Sequence, residues 1–222
     1  MIYEKRRIML KKFFIIVFLS VGIITFAAEE QPQILSLPRP QIIGGKPLME
    51  ALSARKSTRE FSSEEISPQT LSNLLWAGFG INRPESGKRT APSASNWQEI
   101  DIYVATSKAV YIYDAKSNQL KSVVSGDLRP DFGRQAFVKT APVVLAYVAD
   151  YSRMGKASQS NKDFYSAVDT GFISQNVYLY CASEGLNTVV IGIFDREKFS
   201  QQLLLKPEQK IILTQPVGYP KK

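Results

Sequence analysis

The sequence predicts a layered α/β (α+β) sandwich, a mixed β-sheet flanked by helices, on three observations. Residues 143–149 (Val-Val-Leu-Ala-Tyr-Val-Ala) are a continuous apolar run of the kind found in a central strand buried on both faces. Two short runs, 109–114 and 119–125, flank Ala115-Lys116-Ser117-Asn118 and read as a hairpin. Residues 164–184 carry Val168, Phe172, Gln175, Leu179 and Ala182 along one face of a long helix, with Gly185 placed to stop it. Helices and strands mix without a strict βαβ period, which argues against a Rossmann arrangement.

The other elements follow in order. Residues 29–47 contain Pro32, Pro38, Pro40 and Pro47 and predict an extended arm, since that spacing of prolines cannot be helical. Leu48, Ala51, Leu52 and Arg55 predict a first helix over 48–56, opening the main domain at 48–222. Ser57-Thr58-Arg59-Glu60-Phe61 breaks it. A second helix is signalled by Ser67 as cap, Pro68 at the first helical position and a Leu71, Leu74, Leu75 stripe, closed by Gly78. Residues 99–106 alternate, with Ile100, Ile102 and Val104 on one face of a strand. Residues 188–193 predict another strand, Asp195 caps a helix running to Leu205, and 210–217 is the last strand.

Composition narrows the chemistry. The 222 residues include no histidine and one cysteine, Cys181. That excludes Ser-His-Asp and Cys-His machinery, an intrachain disulfide, an iron–sulfur cluster and the usual zinc sites. The GxGxxG, GxxxxGK[ST] and HExxH patterns are absent, and no metal is expected. Enzymatic work then falls to carboxylates or a bound cofactor.

Residues 1–28 read as an export signal peptide. Lys5, Arg6, Arg7, Lys11 and Lys12 form a basic head, 13–26 is an apolar run, and Ala27-Ala28 marks the cleavage site. The run is short for a membrane span, and an uncleaved membrane anchor is the alternative. Lys5-Arg6-Arg7-Ile8-Met9-Leu10-Lys11 also approaches the twin-arginine pattern, a route that carries folded proteins. Cleavage leaves 23 bases against 19 acids, a net charge of +4 in place of +8. With export, this excludes nucleic acid as a partner, and no membrane association is expected after cleavage.

Three constellations offer chemistry. In extended chain Arg55, Ser57 and Arg59 point to one side, and two guanidiniums with a hydroxyl suit a phosphate. The competing reading is a solvated helix end. Residues 89–98 (Arg-Thr-Ala-Pro-Ser-Ala-Ser-Asn-Trp-Gln) precede a strand; their small side chains permit close backbone approach, and Asn96 and Gln98 offer amides to a heterocycle edge. The competing reading is a surface loop. The third is the terminal Gly218-Tyr219-Pro220-Lys221-Lys222, otherwise a solvated tail. Cys181 reads as a buried structural thiol, and Tyr178 and Tyr180 as packing or interface aromatics. Asp163 and Asp169 read as helix-dipole partners before an acid–base pair.

Taken together, these segments resemble the FMN-dependent nitroreductase family, and within it the SagB-type branch. The residues that carry the resemblance are 54–61, 71–78, 89–98, 110–114 with 125–128, 169–176, 185–192 and 217–220, in the family's order and spacing. The resemblance implies a nitroreductase-type sandwich that binds FMN at a homodimer interface. It implies Arg55 on the phosphate, Ser57 on the phosphate or ribityl chain, and Arg59 at the pyrimidine side, a fixed cation tuning the reduced flavin. It implies Asn96 near the ring edge with Gln98 in support. Ile191, Gly192 and Ile193 would lie along the isoalloxazine with backbone groups near N5, and Lys221 or Lys222 would close on the phosphate. Better-known members carry a glutamate beside that glycine, which this chain lacks.

The implied activity is hydride transfer from NAD(P)H or another donor through FMN to a nitro, quinone or similar small acceptor, with no catalytic side chain required. Two alternatives stay open: a SagB-like flavin dehydrogenase of peptide heterocycles, and an exported binding protein that has lost the flavin.

Overall fold

The computed structural model describes residues 33–221. The expected signal peptide, the first residues of the arm and Lys222 lie outside them. In chain order the strands are β1 (Ile34–Ser36), β2 (Ile81–Arg83), β3 (Lys88–Arg89), β4 (Ile100–Ala105), β5 (Ala109–Asp114), β6 (Gln119–Ser125), β7 (Val143–Asp150), β8 (Asn187–Thr188) and β9 (Gln209–Gly218). The α-helices are α1 (Leu48–Ala54), α2 (Pro68–Phe79), α3 (Gln159–Glu184) and α4 (Arg196–Gln202). Seven strands form one sheet in the order β1-β6-β5-β4-β7-β9-β8, and every neighbouring pair in it is antiparallel. Among the described residues no helix is long and apolar enough to cross a membrane.

The apolar run at β7 is buried on both faces, as its sequence requires. Val143, Leu145, Tyr147 and Ala149 meet Leu74 and Leu75 of α2 and Ile173 and Val177 of α3 in one core. Val144, Ala146 and Val148 join Phe199 and Leu203, from α4 and its end, with Phe132 and Val138, in the other. Neighbouring β4 divides in the same way, Ile100, Ile102 and Val104 to the first core and Tyr103 and Ala105 to the second. The period of two therefore splits one sheet between two helical layers.

Several expectations are corrected. The proline-rich arm is extended but not separate from the domain. Ile34–Ser36 pairs with β6, and Asn118 Nδ2 donates to the Pro38 carbonyl at 2.8 Å. Gly78 does not close α2; it lies inside the helix, where a Cβ would sit 3.1 Å from Val177 Cγ2, and the glycine lets α2 and α3 approach closely. Helix α3 starts earlier than expected, capped by Ser158, and ends at Gly185 with φ 71°.

The largest correction is the orientation of α3. Its buried stripe is Ser166, Asp169, Thr170, Ile173, Ser174, Val177 and Cys181. The expected Val168–Phe172–Gln175–Leu179 face turns away from the sheet, leaving Phe164 and Phe172 exposed. Periodicity identified the helix but not which of its two faces meets the sheet. Small polar side chains win that position because they let the helix axis lie close.

The strand expected over 188–193 is also reduced. Only Asn187 and Thr188 pair in register with β9, and Ile191 bridges Thr214 three residues later. Between them the Val190 N–H leaves the ladder and donates to Tyr178 Oη.

Inside the first core, Tyr147 Oη donates to Gln215 Oε1, and Gln215 Nε2 donates to the Ser174 carbonyl, tying β7, β9 and α3 together. Tyr147→Phe strands a buried amide oxygen. It is expected to cost about 1–3 kcal/mol, read as a lower urea midpoint with unchanged slope.

Candidate functional site

Helix α1 stops at Ala54, two residues before the expected end, and Arg55 is already extended at φ −60° and ψ 122°. Thr58 anchors the following segment from its inner side. Its N–H donates to the Thr188 carbonyl at 2.9 Å, and its Oγ1 accepts from the Thr188 N–H at 3.0 Å. Ser62 N–H donates to the Tyr219 carbonyl at 2.9 Å, so the segment runs alongside the β8–β9 edge. With Thr58 turned inward, the alternation of extended chain sends Ser57 and Arg59 outward; both are exposed.

Ser57 Oγ lies 2.9 Å from Tyr178 Oη, and the Arg55 guanidinium stands over the Tyr178 ring at 5.3 Å. Among the described residues Arg55, Lys56 and Arg59 form no ion pair. A cavity of about 470 Å³ beside them is lined by Lys46, Lys56, Thr58, Tyr178, Asn187 and Pro220. Lys221, exposed, follows Pro220 directly and so belongs to the same cationic region. This donor set, free cations around a hydroxyl, fits a phosphate.

Of Ile191 and Gly192, the structure leaves one with a peptide to offer. Ile191 is buried and both its backbone groups bond Thr214, at 2.8 and 3.0 Å. Gly192 and Ile193 are exposed. A Cβ on Gly192 would meet only Leu213 Cδ2, at 3.6 Å, so the fold itself tolerates a side chain there.

The second constellation lies elsewhere on the chain. Ser95, Asn96 and Gln98 all have left-handed φ, at 49°, 53° and 48°. Non-glycine residues held there store strain of about 1–3 kcal/mol each and need bracing. Gln98 supplies part of it. Its Nε2 donates to Asn96 Oδ1 at 3.1 Å and to the Gly87 carbonyl at 3.2 Å, and its Oε1 accepts from Arg89 Nε at 2.7 Å. Asn96 Nδ2 is left without a partner among the described residues, facing solvent. Gln98 thus holds Asn96 in place through its side-chain amide.

Sequence reasoning missed the carboxyl pair beneath this loop. Asp169 sits about three turns into α3, too deep to act as a dipole partner. Its Oδ2 accepts from the Ala94 N–H at 2.8 Å. Glu99 is fully buried, and Ser93 Oγ donates to its Oε2 at 3.3 Å. Burial, with Asp169 beside it, pushes the Glu99 carboxyl from the ordinary 4.5 up to about 7. No local signal marked it, since Glu99 falls in the polar phase of the alternation just ahead of β4 and is buried only by the chain folded over it. Cys181 is as expected, a thiol whose pKa burial raises.

Asp169 and Tyr178 mark where the two clusters touch α3. Nine residues separate them, roughly 13 Å of rise and two and a half turns, so they lie on opposite faces of the helix. The chain thus holds the two expected clusters on different sides of α3.

The pair has a thermodynamic signature. Native Glu99 keeps a proton that the unfolded chain releases above pH 4.5, so stability present at low pH is lost as pH rises from 4.5 through about 7. Glu99→Gln is expected to flatten that decline in a series of thermal melts across this range. A variant declining as steeply as the wild type would assign the slope to another group.

A model of the Nitroreductase family matches residues 52–219. A nitroreductase-family protein from Methanocaldococcus jannaschii is 29% identical over 181 residues, 77% of this chain and 90% of that one. The crystal structure of one from Ralstonia eutropha JMP134 superposes with a TM-score of 0.82 at 39% identity, covering 85% of this chain and 90% of that one. The NADPH:FMN oxidoreductase of Vibrio harveyi, solved with NAD+, shares the fold at a TM-score of 0.59 and 23% identity, covering 79% of this chain and 69% of that one.

Proposed function

This chain belongs to the nitroreductase family and is an oxidoreductase, and from that premise we propose that it binds FMN and uses it to pass hydride from NAD(P)H or another donor to a nitro, quinone or similar small acceptor. The observation that carries the reading is the Arg55–Ser57–Arg59 edge, with no described anion neutralising its guanidiniums. Arg55 and Ser57, with Lys221, would hold the phosphate. Arg59 would stand as a fixed cation toward the ring, and Gly192 would supply the unencumbered backbone. Bound FMN would supply the two-electron chemistry of hydride transfer. The motif order along the chain is our ground for the SagB-type branch.

The reading requires a homodimer. Asn96 and Gln98 lie with Asp169 on the other side of α3 from Arg55 and Tyr178, so we read the two halves as meeting on one ligand across a pair of chains. A second copy supplies the missing half. The exposed apolar side chains Leu48, Met49, Phe164, Phe172 and Ile193 suit burial against that copy. Residues 1–28 are the ground for export, read as a signal cleaved after Ala27 or Ala28.

Purified protein is expected to show flavin absorption bands, or acquire them on adding FMN, and to bleach under anaerobic NADH or NADPH. Bands that persist keep the flavin and assign the reduction to another donor; a colourless protein that refuses FMN overturns the reading. Arg55→Ala and Asn96→Ala homodimers are each expected to bind FMN poorly. Mixing and refolding the two should restore binding, because each heterodimer rebuilds one intact site; no recovery would argue against a site shared between copies. Gly192→Ala should melt like the wild type yet bind FMN more weakly, since the fold accepts the methyl group and a ligand at that peptide does not.

A further inference from the structure

Tyr178 joins Arg55, Ser57 and the Val190 backbone within the first cluster. Its hydroxyl meets the backbone amide of Val190 at 2.8 Å and Ser57 Oγ at 2.9 Å, and its ring lies under Arg55. These contacts have a direction. A peptide N–H can only donate, so Tyr178 Oη is the acceptor toward Val190. The phenolic proton then has Ser57 Oγ as its partner among the described residues. A serine oxygen that receives this bond keeps its own proton for the far side, the exposed side it shares with Arg55 and Arg59.

Resting on the FMN reading above, we propose that Tyr178 is a positioning and specificity residue. It orients Ser57 as an outward hydrogen-bond donor to the cofactor's phosphoryl group, and so selects FMN over riboflavin, the same flavin without phosphate. The opposite polarity, with Ser57 donating to Tyr178, would turn serine lone pairs toward an anion and repel it. A phosphoryl dianion has acceptors only, so its binding and the Val190→Tyr178→Ser57 chain of donors reinforce one another. The same phenol links the 55–59 segment to the 190–192 backbone, because the N–H it captures lies in the break between β8 and the Ile191 bridge.

Equilibrium titrations of FMN and of riboflavin against wild type, Tyr178→Phe, Ser57→Ala and the double variant test this. Each single variant is expected to weaken FMN about tenfold, equivalent to about 1.4 kcal/mol, and to leave riboflavin within about twofold. The double variant should be no weaker than the poorer single one, because both act through one proton. Ser57→Thr, which keeps the hydroxyl, should restore FMN binding.

Multiplying losses in the double variant, or equal losses for riboflavin, would overturn the proposal. A wild type that binds neither flavin would instead overturn the FMN reading beneath it.

A shape-conserving probe covers the case in which Tyr178→Phe fails to fold. With 4-fluorophenylalanine at position 178, fluorine fills the place of the hydroxyl and takes away the proton it donates to Ser57. FMN affinity should then fall about tenfold while riboflavin affinity stays within about twofold. Unchanged FMN affinity would overturn the proposal.

Discussion

The close seating of α3 on the sheet is the constraint on which the rest of the molecule depends. Ser166, Thr170 and Ser174 face the strands where larger side chains would hold the helix off, and Gly78 removes the side chain at the crossing with α2. The helix thereby becomes a fixed spacer. Asp169 braces one loop and Tyr178 the other, and their separation follows from helical geometry alone. Anything that lifted α3 from the sheet would disturb both clusters together. The buried Tyr147–Gln215–Ser174 contacts therefore matter to the site although they touch none of it.

The two clusters are held by different means. The cationic segment is held largely through its backbone, Thr58 against Thr188 and Ser62 against Tyr219, which leaves its outward side chains free to answer a ligand. The 93–98 loop is held through side chains and carries its strain in three left-handed residues. Arg89 and Arg153 fix Gln98, the first through its side chain and the second through its carbonyl at 3.0 Å, while Asp169 and Glu99 hold Ala94 and Ser93 from below. Such a loop resists rearrangement. It suits a ligand edge that must be met in one geometry without an entropic penalty at the moment of binding.

Much of the fold was legible because its signals were local. Ser67 and Asp195 cap as expected, Gly185 ends α3, and the alternation of β4 identifies its two faces. The failures share a physical cause, since each depended on a partner distant in sequence. Nothing local says which face of α3 meets the sheet, that Gly78 is a crossing point, or that Val190 gives up a ladder bond for Tyr178. The same holds at the site. Arg55, Ser57 and Arg59 were readable because one extended segment carries them, and Asn96 with Gln98 because they are two residues apart. Tyr178 and the Glu99–Asp169 pair were not, because their roles exist only once residues 57, 94 and 190 are brought to them.

The order of strands has a practical corollary. β1 forms one edge of the sheet and β8 the other, six strand spacings or roughly 29 Å apart along the sheet, while the last residues of β9 lead straight to the cationic segment. The two ends of the folded domain are therefore not equivalent handles. A surface, bead or fused label attached ahead of β1 leaves the cluster open to solvent. The same attachment after Lys221 crowds the residues that would greet an incoming anion, so immobilisation through the far edge is the arrangement that preserves access.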